Sequence, residues 1–153
     1  MTIKQIQVNE VGDAEWRLLL EADPDRAVVL TYLAEADIFV DQREQQTVGI
    51  IVVKSLNSTD SEVMNLSVSP AWQHQGIGRG LLSFAVQNCK VVGVKHLVIR
   101  TGYQSPQQRI YEKFGFQVVS VAKNYFIRYY AEPIFEAGQQ LKDQVTLNLV
   151  IGK

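Results

Sequence analysis

The sequence predicts a mixed α+β fold with a central, mostly antiparallel, twisted sheet of about six to seven strands and about four flanking helices. Three β-rich runs follow one another between residues 37 and 68 with no helical segment between them. A long amphipathic helix and another strand come next, which completes a strand–helix–strand unit. This order excludes a doubly wound dinucleotide fold, in which strands and crossover helices alternate.

The composition indicates one globular domain over residues 1–153, because 46% of the side chains are hydrophobic and 20% are charged. A formal net charge of −1 argues against a nucleic-acid-binding protein. The first residues lack the apolar stretch of a secretion signal, and no apolar run is long enough to cross a membrane. Cys89, the single cysteine, has no His or Cys at metal-ligand spacing, so we expect a cytoplasmic protein without a metal.

Two helices are expected before the first of these strands. Asp13 is a suitable N-cap for a helix that ends near Glu21. Asp23 followed by Pro24 is a typical start for the second helix, because proline fits the first helical position. Apolar residues at helical spacing give that helix one buried face: Val29, Tyr32, Leu33 and Ala36.

The three consecutive strands are bounded by polar turns. Strands are predicted at Asp37–Asp41 and Thr47–Ser55, and the polar stretch between them indicates an antiparallel hairpin. A turn over Asn57–Asp60 leads to the third strand, Glu62–Val68. The hairpin and the third strand would form the first half of the sheet.

The long helix runs from about Gln75 to Val91, with Cys89 on its apolar stripe, which predicts a packing role for that thiol. The strand after it, His96–Thr101, should lie parallel to the strand before it, because a helix connects the two. His96 opens that strand and has no acidic partner nearby in sequence.

A fourth helix is expected from Ser105 and Pro106 to Gly115, which is a typical C-cap. Phe116–Val121 and Gln144–Ile151 are predicted to close the sheet. The connection between these two strands is long, and we expect part of it to continue a strand.

The segment Gln73-His74-Gln75-Gly76-Ile77-Gly78-Arg79-Gly80 carries the strongest chemical signal. The two glycines at Gly76 and Gly78 allow backbone N–H groups to converge on one anion at the helix N-terminus, and Arg79 would add positive charge. A P-loop needs Lys followed by Ser or Thr after its last glycine, and a Rossmann site needs its glycines after the first strand. The segment therefore predicts a phosphate-binding loop or, alternatively, only a tight turn.

Two motifs together resemble the GNAT superfamily of acetyl-CoA-dependent N-acetyltransferases. Val68-Ser69-Pro70 followed by Gln73-x-x-Gly76-x-Gly78 is similar to the family's Q/R-x-x-G-x-G/A motif after a strand. Ile110-Tyr111-Glu112-Lys113-Phe114-Gly115-Phe116 resembles its L-Y-E-K-x-G-F segment. The resemblance implies transfer of acetyl from acetyl-CoA directly to a primary amine, in a fold whose one parallel strand pair is splayed at the cofactor site.

The resemblance also implies how acetyl-CoA binds. The backbone of Leu66, Ser67 and Val68, at a strand bulge, would hydrogen-bond the pantetheine arm like an added strand. The family often has an Asn seven residues before its tyrosine, where this chain has Gln104; either Gln104 or Ser105 would make that contact. The pyrophosphate would be held by the loop and the first helical turn, that is, by Gln73, His74, Gln75, Gly76, Ile77, Gly78 and Arg79.

Direct acetyl transfer needs a neutral amine, a stabilised oxyanion and a proton for the leaving thiolate. Tyr111 corresponds to the family's tyrosine beside the sulfur and would donate a hydrogen bond to the thiolate; a buried packing role is the alternative. Glu62 lies where some members carry a glutamate that acts as a base directly or through water, unless it is an exposed carboxylate at a strand start. Asn65 would orient water or substrate, and a backbone N–H near Val68 would face the oxyanion.

The segment from residue 124 to 138 alternates aromatic and acidic residues and resembles a wall of the family's acceptor site. Tyr129, Tyr130, Glu132 and Glu136 would attract and orient a cationic amine. A contact between two copies in a homodimer explains the same composition equally well. A non-catalytic acyl-CoA sensor is the alternative to an enzyme, although retention of Tyr111 and Glu62 favours catalysis.

Overall fold

The computed structural model describes residues 2–136 and 138–152. Its helices are α1 (Asp13–Ala22), α2 (Arg26–Leu33), α3 (Ile77–Val92), α4 (Pro106–Phe114) and α5 (Tyr125–Tyr129). Its strands are β1 (Ile3–Ile6), β2 (Ala36–Arg43), β3 (Gln46–Ser55), β4 (Asp60–Val68), β5 (His96–Gly102), β6 (Gln117–Ala122), β7 (Phe135–Glu136), β8 (Gln139–Gln140) and β9 (Gln144–Val150).

Seven of these strands form the main sheet in the order β1-β2-β3-β4-β5-β9-β6, and β7 pairs with β8 in a separate small hairpin. Within the described part of the chain, β4 and β5 are the one parallel pair of the main sheet, and its other pairs are antiparallel. The predicted α+β fold is therefore confirmed, including the parallel strand–helix–strand unit.

The sheet separates two apolar cores, because apolar side chains of its central strands point alternately to its two faces. Ile50 and Val52 of β3 pack with α1 and α2, whereas Ile51 and Val53 face α3. Side chains of consecutive strand residues point to opposite faces, so this uninterrupted apolar run fills both cores at once. Cys89 is 3% exposed within the α3 core, which confirms its predicted packing role.

The helix starts differ from the prediction by one or two residues. Gly12 rather than Asp13 is the N-cap of α1, and its N–H donates to the Glu15 carboxylate at 2.9 Å. Asp25 rather than Asp23 caps α2, because its carboxylate accepts from the N–H groups of Ala27 and Val28 at 3.0 and 3.4 Å. Asp23 does not cap α2; its carboxylate accepts instead from the Asp25 N–H at 3.5 Å.

Two regions were not predicted correctly. The sequence pattern did not indicate β1, whose apolar residues are sparse; it pairs antiparallel with β2 at the end of the sheet. The connection after β6 does contain strand, as expected, but only in the β7–β8 hairpin and not as an extension of β6. It turns at Asn124, in the left-handed conformation with φ of 58°, and enters α5. Tyr125 stacks on Tyr129 with 4.8 Å between ring centroids, an i, i+4 contact that favours the helix.

Gly49 of β3 lets α3 approach the sheet closely. A Cβ atom at this position would lie 2.9 Å from both Ile77 Cγ2 and Leu81 Cδ1. We expect Gly49→Ala to lower the free energy of unfolding by about 1–3 kcal/mol through overpacking. Chemical denaturation would measure the loss, and Gly80→Ala, where a Cβ atom meets nothing within 4 Å, is the control that should be neutral or stabilising.

No helix among the described residues is long and apolar enough to span a membrane.

Candidate active site

The sheet opens between β4 and β5. The two strands pair only from Asp60 to Val63 and from His96 to Ile99; beyond these residues β4 stays with β3, and β5 stays with β9. A bulge accompanies the opening, because Val52 pairs with Asn65 and Val53 with Val63, which leaves Met64 without a partner in β3. The bulge therefore lies at Met64, two residues before the predicted position at Leu66–Val68. Bulges bend a strand and increase its twist, which suits a place where two strands diverge.

A cavity of about 1320 Å³ occupies this opening and extends to both faces of the sheet. Fourteen of the predicted site residues line it: Glu62, Asn65, Leu66, Ser67, Val68, Gln73, His74, Gly76, Ile77, Gly78, Arg79, Tyr111, Tyr130 and Glu136. Gln75, Gln104, Tyr129 and Glu132 do not line it. The fold thus brings together residues that are up to about 70 positions apart in the sequence.

The N-terminus of α3 forms one side of the cavity. Gly76 holds the left-handed conformation with φ of 84°, and the first helical hydrogen bond runs from the Gly80 N–H to the Gly76 carbonyl at 2.9 Å. The N–H groups of the first turn have no acceptor within an α-helix, so they can converge on an anion. Gln73 Nε2 donates to the Val68 carbonyl at 3.0 Å, which ties the loop to the end of β4.

Backbone groups of β4 provide a second binding surface. Past Val63 the edge of β4 that faces β5 has no neighbouring strand in the described structure, yet Leu66, Ser67 and Val68 line the cavity. Free N–H and C=O groups on such an edge can pair with an extended amide-containing chain. The two surfaces together fit a ligand that combines amide groups with a phosphate-bearing end.

Tyr111 lies on α4 and is 7% exposed, with its ring centroid 6.0 Å from that of Phe116. Burial raises the pKa of the Tyr111 hydroxyl, and the nearby Glu136 carboxylate raises the pKa further because a phenolate would be repelled by it. The hydroxyl consequently stays protonated at neutral pH. It can donate a hydrogen bond into the cavity.

The start of α4 explains why Gln104 lies outside the cavity. Its N–H donates to Gln108 Oε1 at 2.6 Å, and its φ is 62°, while the Ser105 hydroxyl caps the helix by accepting from the Gln108 N–H at 3.3 Å. Gln107, which the sequence analysis did not single out, lines the cavity instead. Its Oε1 is buried and has no hydrogen-bond partner among the described residues.

Glu62 lies just before the bulge and is paired with Arg100 of β5, with 2.5 Å between Oε1 and Nη1. The Glu62 side chain is only 11% exposed, so it is not an exposed carboxylate at a strand start. Arg100 is 40% exposed and was not identified from the sequence, because an arginine at a strand end has no distinctive pattern. The ion pair fixes the carboxylate at the point where the strands separate.

The opposite wall is a polar cluster from four elements. Asn65 Nδ2 donates to the Leu19 carbonyl at 3.0 Å and to the Tyr32 hydroxyl at 3.2 Å. The Tyr130 hydroxyl donates to Asp23 Oδ1 at 3.1 Å across 107 positions of sequence. Burial is the first cause that raises the pKa of Asp23, of Tyr130 and of Tyr32, the last to about 12.

The segment around α5 covers this side of the cavity. Asp143 Oδ1 accepts from the Asn124 N–H at 2.9 Å, which anchors the start of α5 to the chain before β9. Tyr129 is 62% exposed and Glu132 is also exposed, so the fold directs both away from the cavity. Residues of the same segment that do line it are Tyr125, Phe126, Tyr130, Pro133, Ile134, Phe135 and Glu136.

Glu136 gives a pH-dependent test of this wall. Burial raises the pKa of the Glu136 carboxyl above its ordinary value of 4.5. The folded state therefore binds the proton of the Glu136 carboxyl more tightly than the unfolded state does. The resulting contribution to the stability of the fold is complete below pH 4.5 and is lost as the pH rises through the pKa of the folded state. We expect Glu136→Gln to raise the melting temperature at pH 8 and to change it little at pH 4. Glu132→Gln, at an exposed carboxylate, should differ from wild type equally at both pH values.

This arrangement, a sheet opened between two parallel strands with a helix N-terminus and a buried tyrosine in the opening, fits the site of an acyltransferase. Residues 31–118 match the family model described as an acetyltransferase (GNAT) domain, and the chain belongs to that family of N-acetyltransferases. The resemblance inferred from the two motifs is thereby confirmed.

Individual relatives are similar to this chain in sequence and in fold over nearly its whole length. The uncharacterised N-acetyltransferase YvbK of Bacillus subtilis (strain 168) is 32% identical over 141 residues, which are 92% of this chain and 91% of that protein. A GNAT family acetyltransferase from Elizabethkingia anophelis, solved with acetyl-CoA bound, superposes with a TM-score of 0.89 at 30% identity, covering 98% of this chain and 99% of that one. An IAA acetyltransferase from Bacillus cereus ATCC 14579 gives 0.91 at 31% identity, covering 97% and 98%.

Proposed function

We propose that this N-acetyltransferase takes acetyl-CoA as donor and transfers the acetyl group directly to a primary amine within a ternary complex. The observation that carries the proposal is that one continuous cavity runs from the α3 N-terminus on one face of the sheet to a wall of acidic and aromatic residues on the other. Donor and acceptor could therefore meet at the opening between β4 and β5 without a covalent enzyme intermediate. Cys89 is buried in the core and is not available as a nucleophile.

The proposed donor site uses both surfaces described above. The first turn of α3, with His74 and Arg79 nearby, would hold the pyrophosphate, and the free edge of β4 at Leu66–Val68 would pair with the pantetheine amides. Acetyl-CoA supplies the activated acetyl group as a thioester. Gln107, at the start of α4, is a further candidate for a donor contact, because its buried Oε1 lacks a partner among the described residues.

The catalytic roles follow from whether each group can accept a proton or donate a hydrogen bond. Glu62, held by Arg100, would accept the amine proton directly or through water, while Asn65 stays engaged with α1 and α2. Tyr111 would donate a hydrogen bond to sulfur as the C–S bond breaks and the N–C bond forms. A thiol has a pKa of about 8.5, well below that of this buried phenol, so Tyr111 stabilises the thiolate without full proton transfer.

Release of free CoA thiol from acetyl-CoA over a panel of primary amines tests the proposal. We expect amine-dependent release, and acetyl-CoA at 100 times its Kd should stabilise the fold by about 2.7 kcal/mol, because it binds the native state only. NAD, which has a pyrophosphate but no pantetheine, is the control and should stabilise it far less. Stabilisation by acetyl-CoA without release for any amine would instead support the acyl-CoA sensor.

A further inference from the structure

The part of the cavity that lies toward α1, α2 and α5 carries a surplus of negative charge. The acidic residues here are Glu21, Asp23 and Glu62, whereas Glu136 lines the cavity closer to Tyr111. The nearby basic residue is Arg100, whose guanidinium is already paired with Glu62; the other arginine that lines the cavity, Arg79, is in the first turn of α3. Asp23 and Glu136 form no ion pair with any residue in the described ranges. Both carboxyls have pKa values raised first by burial, which shows that desolvation disfavours their charge in the absence of a cation.

A second observation in the same wall concerns Asn65, which is 4% exposed and lines the cavity. Its Nδ2 donates two hydrogen bonds, to Leu19 and Tyr32, and these partners fix the orientation of the amide. Its Oδ1 is buried and has no partner among the residues described. A buried carbonyl oxygen of this kind calls for a donor, and an ammonium group offers three donors and no acceptor.

Aromatic rings complete the surroundings of Asp23. Tyr130 donates to its carboxylate, and the rings of Phe126 and Tyr130 lie with centroids 5.8 Å apart, while Tyr125 and Phe126 lie 5.4 Å apart. All three of these residues line the cavity. A cation beside a carboxylate and aromatic faces gains from both the charge and the ring quadrupoles.

We propose that the acceptor is an alkyl diamine. One amine receives the acetyl group near Glu62 and Tyr111, and the second amine, as an ammonium, binds to the Asp23 carboxylate beside Asn65 and Tyr130. This inference rests on the proposed function. It also predicts that acceptors with a carboxylate are disfavoured. The negative charge of such an acceptor would be repelled by the carboxylates of the cavity, and Arg100 is already paired with Glu62.

The test compares three acceptors of one chain length by thiol release: 1,5-diaminopentane, 1-aminopentane and 5-aminopentanoate. For the wild-type protein we expect kcat/KM for the diamine to exceed that for the monoamine by about tenfold or more, the value of a charge-assisted hydrogen bond, with the aminocarboxylate lowest. Asp23→Asn should reduce the ratio of diamine to monoamine by about tenfold, mainly through the KM of the diamine. Glu35→Gln, at an exposed carboxylate outside the cavity, should keep the wild-type ratio.

Two results separate this inference from the proposed function. Thiol release with equal kcat/KM for diamine and monoamine in the wild-type protein would overturn the diamine site and leave the transferase intact. If no amine supports release, thermal unfolding of the CoA-saturated protein decides: stabilisation by 1,5-diaminopentane but not by 1-aminopentane, lost in Asp23→Asn, supports the site. Equal or no stabilisation by the two amines overturns it.

Discussion

Replacement of Tyr111 by phenylalanine is expected to lower kcat about 100-fold and to leave the KM for acetyl-CoA nearly unchanged. The hydroxyl is needed only when negative charge develops on sulfur, so its removal affects the transition state more than the bound donor. The ring, which packs against Phe116, is retained in the variant, and the fold should therefore keep its stability. Steady-state kinetics with the best amine of the panel would measure the change.

Tyr103→Phe is the matched control, because Tyr103 is 42% exposed and does not line the cavity. Its kcat should equal that of the wild-type protein. The raised pKa of Tyr111 adds a second expectation: activity should persist at alkaline pH where an ordinary phenol begins to ionise. A decrease in kcat of less than threefold in Tyr111→Phe would show that the hydroxyl has no catalytic role and that the residue serves only in packing.

Glu62→Gln is expected to lower kcat at pH 7 by about 100-fold if the carboxylate removes the amine proton. An alkyl ammonium has a pKa of about 10.4, so without a base the amine must lose its proton to solvent before attack. The kcat of the variant should consequently keep rising with pH above pH 8, whereas that of the wild type should level off. A pH profile of kcat from about pH 6 to pH 10 would show the difference.

The ion pair with Arg100 requires its own control, since glutamine leaves the guanidinium without its partner. The double variant Glu62→Gln/Arg100→Met removes both charges and should restore stability that the single variant loses, but not kcat. Glu112→Gln, at an exposed carboxylate on α4 outside the cavity, should behave as wild type. A Glu62→Gln enzyme with unchanged kcat and an unchanged pH profile would exclude Glu62 as the base.

The predictions that succeeded depend on short segments with strong local preferences. The strand order from β2 to β5 follows from apolar alternation and from the amphipathic α3, and the α3 N-terminus follows from Gly76 and Gly78. The predictions failed where a residue type is compatible with two structural roles. Asp23 is a good capping residue by type, but the neighbouring Asp25 makes the capping hydrogen bonds, and Asp23 contacts Tyr130 instead.

Which residues near α5 line the cavity was predicted least well, for a physical reason. Tyr129, Tyr130 and Glu132 are equally plausible by composition, and only the helical turn of α5 decides that Tyr130 faces the cavity while Tyr129 and Glu132 are exposed. The anchor of α5 to Asp143 is 19 positions away in the chain. Contacts over such distances have no signature in the pattern of nearby residues.

By itself, the sequence determined the α+β class, the parallel strand pair, the glycine-containing start of α3 and the family, because each follows from hydrophobic periodicity or from glycines and a tyrosine at fixed spacing. The tertiary structure alone decided where the sheet opens, that Arg100 pairs with Glu62, and that Asp23, Asn65 and Tyr130 share one wall. These features depend on strand divergence at the Met64 bulge and on side chains from separate elements, which meet only when the two cores form.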